Sequence, residues 1–317
     1  MNKNIQEIFL ISSNEDLINL FQKILKEKGK VYTFNKGRHV IEKILQSPPG
    51  LIILDTEIDD ISYQEMIKLI KGENVYLHIP LIICLNIDVL QKIKELLDPE
   101  FEIDDFILKP IKEIEALVRI ELTTSKASRF LDANPLTKLP GNTTIMQKIQ
   151  GLIDAKKEFA LGYCDLDFFK SYNDKYGFSR GDEVLMMTSR IIVNTVKEHC
   201  GAEGFVGHIG GDDFVFIVPI PKAEEVCKNI TKNFDAIIPY FYDPVDRKQG
   251  FIISKNRKGK IEKFPLMAIS IGVVFNRGNL KHYGEASQIA VNLKKAAKKS
   301  PKSSYILDRR NYGAQDR

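Results

Sequence analysis

Three runs in the first 110 residues, "EIFLIS" at 7–12, "GLIILD" at 50–55 and "IPLIICL" at 79–85, are apolar almost throughout. A strand with one wet face alternates between apolar and polar residues. One that is apolar at nearly every position needs cover on both faces, and a parallel sheet with helices on either side provides it. "KVYTF" and "EIDDFIL" complete five such runs, with amphipathic stretches between them. In "NEDLINLFQKILKEKG" the residues Leu17, Leu20, Phe21, Ile24 and Leu25 share one helical face, and Gly29 marks the stop. Five β–α units in this length predict a doubly wound sheet of the flavodoxin type, with any site at the carboxyl ends of its strands.

From Ile111 to about Leu131 the chain reads as helix. Ile111, Ile114, Leu117, Val118 and Leu122 form an apolar stripe that fades into "TTSKAS", as in a last helix that packs on its domain and runs out as a linker. The Pro- and Gly-bearing "DANPLTKLPGN" then marks a boundary. Three parts follow: a first domain over 1–122, a helical linker over 123–133 and a second domain over 134–317. The second domain reads differently. "FALGYCDLD", "GFVGHIGGDDFVFIVPI" and "SSYILD" supply strands, and "GDEVLMMTSRIIVNTVKEHC", "KAEEVCKNITKNFDAII" and "ASQIAVNLKKAAKK" supply helices. "GFIISKNRKGKIEKFPLMAISIGVVF" reads as a hairpin turning at Asn256–Gly259. This is an α+β palm, an antiparallel sheet backed by helices.

Bulk properties exclude several classes. No stretch approaches the roughly 20 apolar residues needed to cross a bilayer. The opening "MNKNIQEIFLISSNEDL" has only a short apolar run, the wrong shape for a secretory signal. Cys84, Cys164, Cys200 and Cys227 have no paired spacing, and three lie in apolar surroundings, which reads as free thiols in a reducing cytoplasm. The histidines are equally scattered and suggest no zinc site. The formal net charge is +4, with a lysine excess in "NLKKAAKKSPKSS". Without interleaved aromatics that segment is not a nucleic-acid stripe; it reads as a solvated helix face, or as a grip on a small phosphate ligand.

Two acidic clusters carry chemistry. Asp165 ends an apolar strand, and Asp212 sits in the glycine turn of "HIGGDDFVFI" between two strands. If those strands are neighbours, the carboxylates face one another and offer hard oxygens to Mg²⁺ (or Mn²⁺). Gly210 and Gly211 let backbone approach a phosphate, although the same residues also serve in ordinary hairpin turns.

The series "NPLTKLPGN", "DLDFFKSYND…GD" and "GGDDF", in that order, resembles the GGDEF domain of diguanylate cyclases from about residue 134 to 310. The resemblance implies two GTP-loaded domains meeting as a homodimer, with cyclic di-GMP and pyrophosphate as products. It implies Asp165, Asp212 and the Leu166 carbonyl as metal ligands, with two metal ions neutralising the triphosphate and polarising the attacked phosphorus. Asp213 stands where the family has a glutamate suspected of helping to deprotonate the 3′-hydroxyl, and aspartate is one methylene shorter. Asn173 and Asp182 match the pair that reads guanine, although each also suits a helix cap. Lys170, Lys298 and Lys302 match phosphate contacts, while Phe168 and Phe169 pack and offer only backbone amides. The Arg-x-x-Asp of the family's product-inhibition site is "GAEG" at 201–204, which implies no inhibition of that kind. The run 240–264 is longer than the family's usual segment and reads as a hairpin extension.

The first domain resembles a response-regulator receiver. Asp55 matches the phosphoacceptor and Lys109 the receiver's lysine. The acidic pair that would hold Mg²⁺ is replaced by Ser12 and Ser13, and the hydroxyl after the fourth strand by Leu85 or Asn86. These departures imply a degenerate receiver that docks a partner or dimerises, with a sensor kinase or docking protein as its counterpart. The expectation is a cytoplasmic cyclase controlled by this domain, with no nucleic-acid or membrane partner. The alternative is a silent GGDEF domain that binds GTP and signals through protein contacts.

Overall fold

The computed structural model of the chain describes residues 7–72, 76–90, 103–255 and 259–308. The chain divides into two compact units, residues 1–131 and 132–317.

The first unit has a five-stranded parallel sheet of β1 (Glu7–Ile11), β2 (Lys30–Phe34), β3 (Leu51–Asp55), β4 (Leu81–Leu85) and β5 (Asp105–Leu108), in the order β2-β1-β3-β4-β5. This is the flavodoxin-type order. Every residue of β3 and β4 is buried, as their unbroken apolar sequence requires. Ile52 and Leu54 face one core with Val40 and Met66; Leu51 and Ile53 face the other with Phe21 and Ile120. Period-two geometry sends neighbouring residues to opposite layers, so both must be apolar.

The helix Glu113–Asp132 corrects one expectation. Its buried residues are Ala116, Ile120 and Thr123, while Ile114, Val118 and Leu122 are exposed, the first at 79%. Residues spaced by four share a face, and here two such rows compete. The sheet takes the row with the small Ala116, and the predicted stripe of larger side chains faces outward. Of that stripe, Ile111 and Leu117 do pack at the edge of the core.

The second unit has a sheet ordered β12-β11-β6-β8-β7, built from β6 (Phe159–Leu166), β7 (Phe205–Gly210), β8 (Asp213–Val218), β11 (Ile269–Asn276) and β12 (Ser304–Leu307). The neighbours β11–β6, β6–β8 and β8–β7 are antiparallel, and β12 runs parallel to β11. Central β6 is buried along all 8 residues. Helices Phe178–Cys200 and Ala223–Ile237 cover one face of the sheet, and helices Asn142–Asp154 and Tyr283–Ala297 cover the other. The run at 250–275 is less simple than one hairpin. β9 (Phe251–Lys255) and β10 (Ile261–Pro265) pair as a separate two-stranded sheet, while β11 joins the main one. The predicted turn at Asn256–Gly259 lies, apart from its last residue, outside the described residues.

The extension is anchored on the helix Phe169–Tyr176. Tyr172, Tyr176 and Tyr242 form a mutual ring cluster with centroids 4.7–5.8 Å apart. Arg180 donates to the Phe241 carbonyl at 2.6 Å and lies over the Tyr176 ring. Asp246 pairs with Lys175 at 2.5 Å.

On the opposite face, helix Tyr283–Ala297 lies almost on β11. A Cβ at Gly272 would stand 2.2 Å from the Ala290 carbonyl oxygen and 2.3 Å from the Lys294 backbone nitrogen. Backbone cannot swing aside as a side-chain tip can, so Gly272→Ala is expected to destabilise the protein by about 1–3 kcal/mol. Urea unfolding, followed by circular dichroism, measures it.

Candidate active site

The site grows from the exit of β6. In the register of the sheet Asp165 stands opposite Asp213 on β8 and opposite Ser270 on β11. The strands are neighbours, as the facing of the two acidic clusters required. The residue directly across from Asp165, however, is Asp213, with Asp212 one position earlier in the turn. Three of the carboxylates at this edge are also electrostatically coupled. Burial first, and then the charge of Asp165, push Asp212 up to about 6. Burial and Asp165 likewise raise Asp213, against the pull of Lys294.

The turn itself is shaped for backbone access. Gly210 has φ 146° and Gly211 has φ 58°, conformations that L side chains rarely adopt. A Cβ at either would meet nothing within 4 Å, so open space lies above the turn. A residue not singled out in the sequence pins the turn from below. His208 is buried; its Nε2 lies 2.9 Å from the Gly211 carbonyl oxygen and its Nδ1 lies 3.0 Å from the Thr137 hydroxyl. A carbonyl can only accept, so Nε2 carries the proton and Nδ1 accepts from Thr137. Burial holds His208 below its ordinary value, in keeping with a neutral ring. Thr137 is in turn set by Asn134, whose Oδ1 accepts from the backbone of Leu136 and Thr137. The "NPLTKLPGN" segment is thus a strut beneath the glycine turn.

Two lysines answer the carboxylates. Lys298 forms ion pairs with Asp165 Oδ2 and, at 3.4 Å, with Asp167. Lys294 donates to Asp165 Oδ1 at 2.9 Å and to Asp213 Oδ1. Burial works against the Lys294 ammonium, but the hydrogen bonds and charges of Asp213 and Asp165 outweigh it and hold the group above the ordinary lysine value. Lys294 and Asp167 are both additions to the sequence reading. The lysine run is not one solvated face: Lys295 and Lys299 are exposed, but Lys294 falls in the inward row of Ala286, Ala290 and Ala297. A lysine among sheet-facing alanines was the available signal. Asp167 is buried, accepts from the Ser270 hydroxyl at 2.7 Å and is raised by burial.

The remaining expected residues lie around this edge. Asn173 is inside the helix Phe169–Tyr176 and Asp182 is inside the helix Phe178–Cys200, whose N-cap is Gly177; neither is a cap. Asn173 Oδ1 is buried without a hydrogen-bond partner, a costly state for an amide oxygen. A Cβ on Gly181 would meet that oxygen at 1.9 Å, so the glycine is what gives the amide its room. Asp182 is exposed. Phe168, with φ 65°, starts its helix with no side-chain cap and packs on Phe264, with ring centroids 5.9 Å apart. Phe169 packs on the main core, and Lys170 is exposed. Lys302 is exposed and stands outside the carboxylate cluster.

Among the described residues, no three His, Cys, Asp or Glu side chains converge as a metal site. The donor set still fits one hard cation: Asp165 Oδ2 is buried and meets only the partly exposed Lys298 ammonium, and Asp212 is raised as a carboxyl short of positive charge would be. The Leu166 carbonyl follows directly on Asp165 at the end of β6.

In the first unit Asp55 is fully buried at the end of β3. Its Oδ2 accepts from the Ser12 hydroxyl at 2.6 Å, and its Oδ1 pairs with Lys109 at 2.6 Å. Lys109 also pairs with Glu57, which accepts from the Asn86 amide at 2.6 Å. Ser12 therefore places a hydroxyl donor against Asp55, where the receiver pattern would place a metal-binding carboxylate.

The raised Asp212 has a consequence for pH. A carboxyl whose folded value lies above its unfolded one favours the native state at low pH, and that contribution is lost as pH rises through about 6. In the presence of a chelator, Asp212→Asn is expected to raise the melting temperature by roughly 2–4 °C at about pH 7.5 and hardly at all near pH 4. Calorimetry at the two pH values checks it.

Comparisons with known proteins identify the two domains. Residues 8–121 match the model of the response regulator receiver domain, and residues 132–254 match that of the diguanylate cyclase GGDEF domain. The chain is similar to the bifunctional diguanylate cyclase/cyclic di-GMP phosphodiesterase MucR of Pseudomonas aeruginosa, 30% identical over 110 residues that cover 31% of this chain and 16% of that protein. It is also similar to the diguanylate cyclase DgcP of the same organism, 27% identical over 95 residues, covering 29% of this chain and 14% of that protein. The match thus spans a small part of the length of either relative. Among solved structures, the coiled coil and GGDEF domain of DgcB from Caulobacter crescentus, in complex with c-di-GMP, aligns at 17% identity with a TM-score of 0.45, over 61% of this chain and 94% of that one. The chain is therefore built from a response-regulator receiver domain, matched over residues 8–121, followed by a domain of the diguanylate cyclase GGDEF family, matched from residue 132.

Proposed function

We propose that the second domain is a diguanylate cyclase that condenses two GTP into cyclic di-GMP and releases two pyrophosphates as a homodimer. One observation carries this reading: Asp165, Asp167, Asp212 and Asp213 are gathered with Lys294 and Lys298 at one sheet edge, beside a glycine turn with open space above it. In each half-reaction a 3′-hydroxyl oxygen gives up its proton to solvent and bonds to the α-phosphorus of the other nucleotide, and the bond from that phosphorus to the bridging oxygen of the β-phosphate breaks, so that pyrophosphate leaves. Mg²⁺ or Mn²⁺, held by Asp165, the Leu166 carbonyl and Asp212, would supply positive charge against the phosphates.

The chain's own residues supply the remainder. The Asn173 amide is buried with its oxygen unpaired, ready to accept a hydrogen bond from a base. Asp182, exposed on the next helix, supplies the acceptor that guanine's N1–H and 2-amino group need and that adenine cannot satisfy. The uncapped start of the helix Phe169–Tyr176 turns backbone N–H groups toward anions, with Lys170 in its first turn. Lys298, only half-buried, can pass from Asp165 to a phosphate. Lys302 is exposed and free of the cluster, available to a phosphate at the rim.

The receiver domain acts in this reading as a docking or dimerisation module under a partner's control, with Asp55 engaged by Ser12 and Lys109 rather than phosphorylated. Purified protein given GTP and Mg²⁺ is expected to form cyclic di-GMP, and Asp212→Ala to reduce it to background, as read by chromatography of the products. Absence of product with GTP binding retained would contradict the cyclase reading and leave a domain that signals by contact.

A further inference from the structure

Lys294 and Lys298 sit one helical turn apart on the same carboxylate cluster, but they are held differently. Lys298 is a guest, with its side chain 37% exposed. Lys294 is built in, with its side chain 8% exposed. Its backbone presses on β11 at Gly272, and its neighbours in the inward row of the helix are alanines. The long stem therefore runs between helix and sheet, and the ammonium emerges where Asp165 and Asp213 stand as register partners on β6 and β8. A buried ammonium is tolerated only when paired, and withdrawing it would leave two carboxylates side by side with Lys298 as their remaining counter-charge.

We propose that the Lys294 ammonium is a built-in cation that takes the place of a second divalent ion between Asp165 and Asp213, so that the site loads one divalent ion and not two. The inference rests on the nucleotide-site reading above and deepens it. Asp165 Oδ1 and Asp213 Oδ1 are committed to Lys294. Asp167 is engaged by the Ser270 hydroxyl and Lys298, so the oxygens left to a metal are Asp165 Oδ2, which meets only Lys298, the second oxygen of Asp213, the Asp212 carboxylate and the Leu166 carbonyl. With an ammonium lodged between Asp165 and Asp213, these oxygens suit one ion that keeps several waters rather than two that share the pair. Lys298, with its side chain 37% exposed, meets Asp165 Oδ2 and can yield it. Lys294 has its stem buried in the inward row of the helix and is held on Oδ1. Asp213 is on this account a positioning residue for Lys294.

The test counts Mn²⁺ bound to the full chain by electron paramagnetic resonance, first without nucleotide and then with a saturating non-hydrolysable GTP analogue. The wild-type chain is expected to take one Mn²⁺ in this site under both conditions. Lys294→Met keeps the stem's volume and removes the charge; it is expected to take a second ion, or to bind the first at least tenfold more tightly. Two ions or none on the wild-type chain, or a variant that behaves as wild type, would overturn the proposal. Should the variant fail to fold, the wild-type count decides alone: one ion upholds the proposal. Failure of the analogue to bind would strike the nucleotide reading, while the nucleotide-free count still decides the role of Lys294.

Discussion

The arrangement of the second domain turns on one buried carboxylate. Asp165 sits at the end of the central strand, 8% exposed, with Lys294 on one oxygen and Lys298 on the other. A charge in that position is stable only when countered, and the counter-charge comes from the last helix of the domain rather than from a neighbouring strand. This is why the helix must lie close to the sheet and why β11 carries Gly272 beneath it. It also ties the carboxylate edge to packing well outside it.

The same logic explains the turn. Asp212 is raised by burial and by Asp165, so the loop that presents it must be held against an unfavourable charge. His208 holds it, clamped between the Gly211 carbonyl and Thr137 and stacked on Phe214 with ring centroids 4.2 Å apart. The first domain uses a comparable economy: Lys109 and the Ser12 hydroxyl answer Asp55, and no second carboxylate is present at Ser12 to gather a metal.

Much of this was legible from residue order. Unbroken apolar runs identified β3 and β4 as strands covered on both faces, because only burial on both sides removes alternation. The pairing of the two acidic clusters followed from an apolar strand ending in Asp165 and a glycine turn carrying Asp212 beside a neighbouring strand. What escaped were features set by the packing of one element on another. The burial of Lys294 depends on which face of its helix meets the sheet, and its charge argued for the wrong face. The outward turn of Ile114, Val118 and Leu122 depends on a competition between two apolar rows that period alone does not rank. His208 looked like one of five scattered histidines, since its partners Thr137 and Gly211 meet it only in the folded chain.

The central claim is that Asp165 and Asp213 share an ammonium where a second metal would otherwise lie. Crystals grown with Mn²⁺ and a non-hydrolysable GTP analogue, measured at a wavelength where manganese scatters anomalously, show directly where the ions sit. The account predicts one anomalous peak at the site, against Asp165, the Leu166 carbonyl and Asp212, with Lys294 still on Asp213. A peak bridging Asp165 and Asp213, with Lys294 displaced, would contradict it.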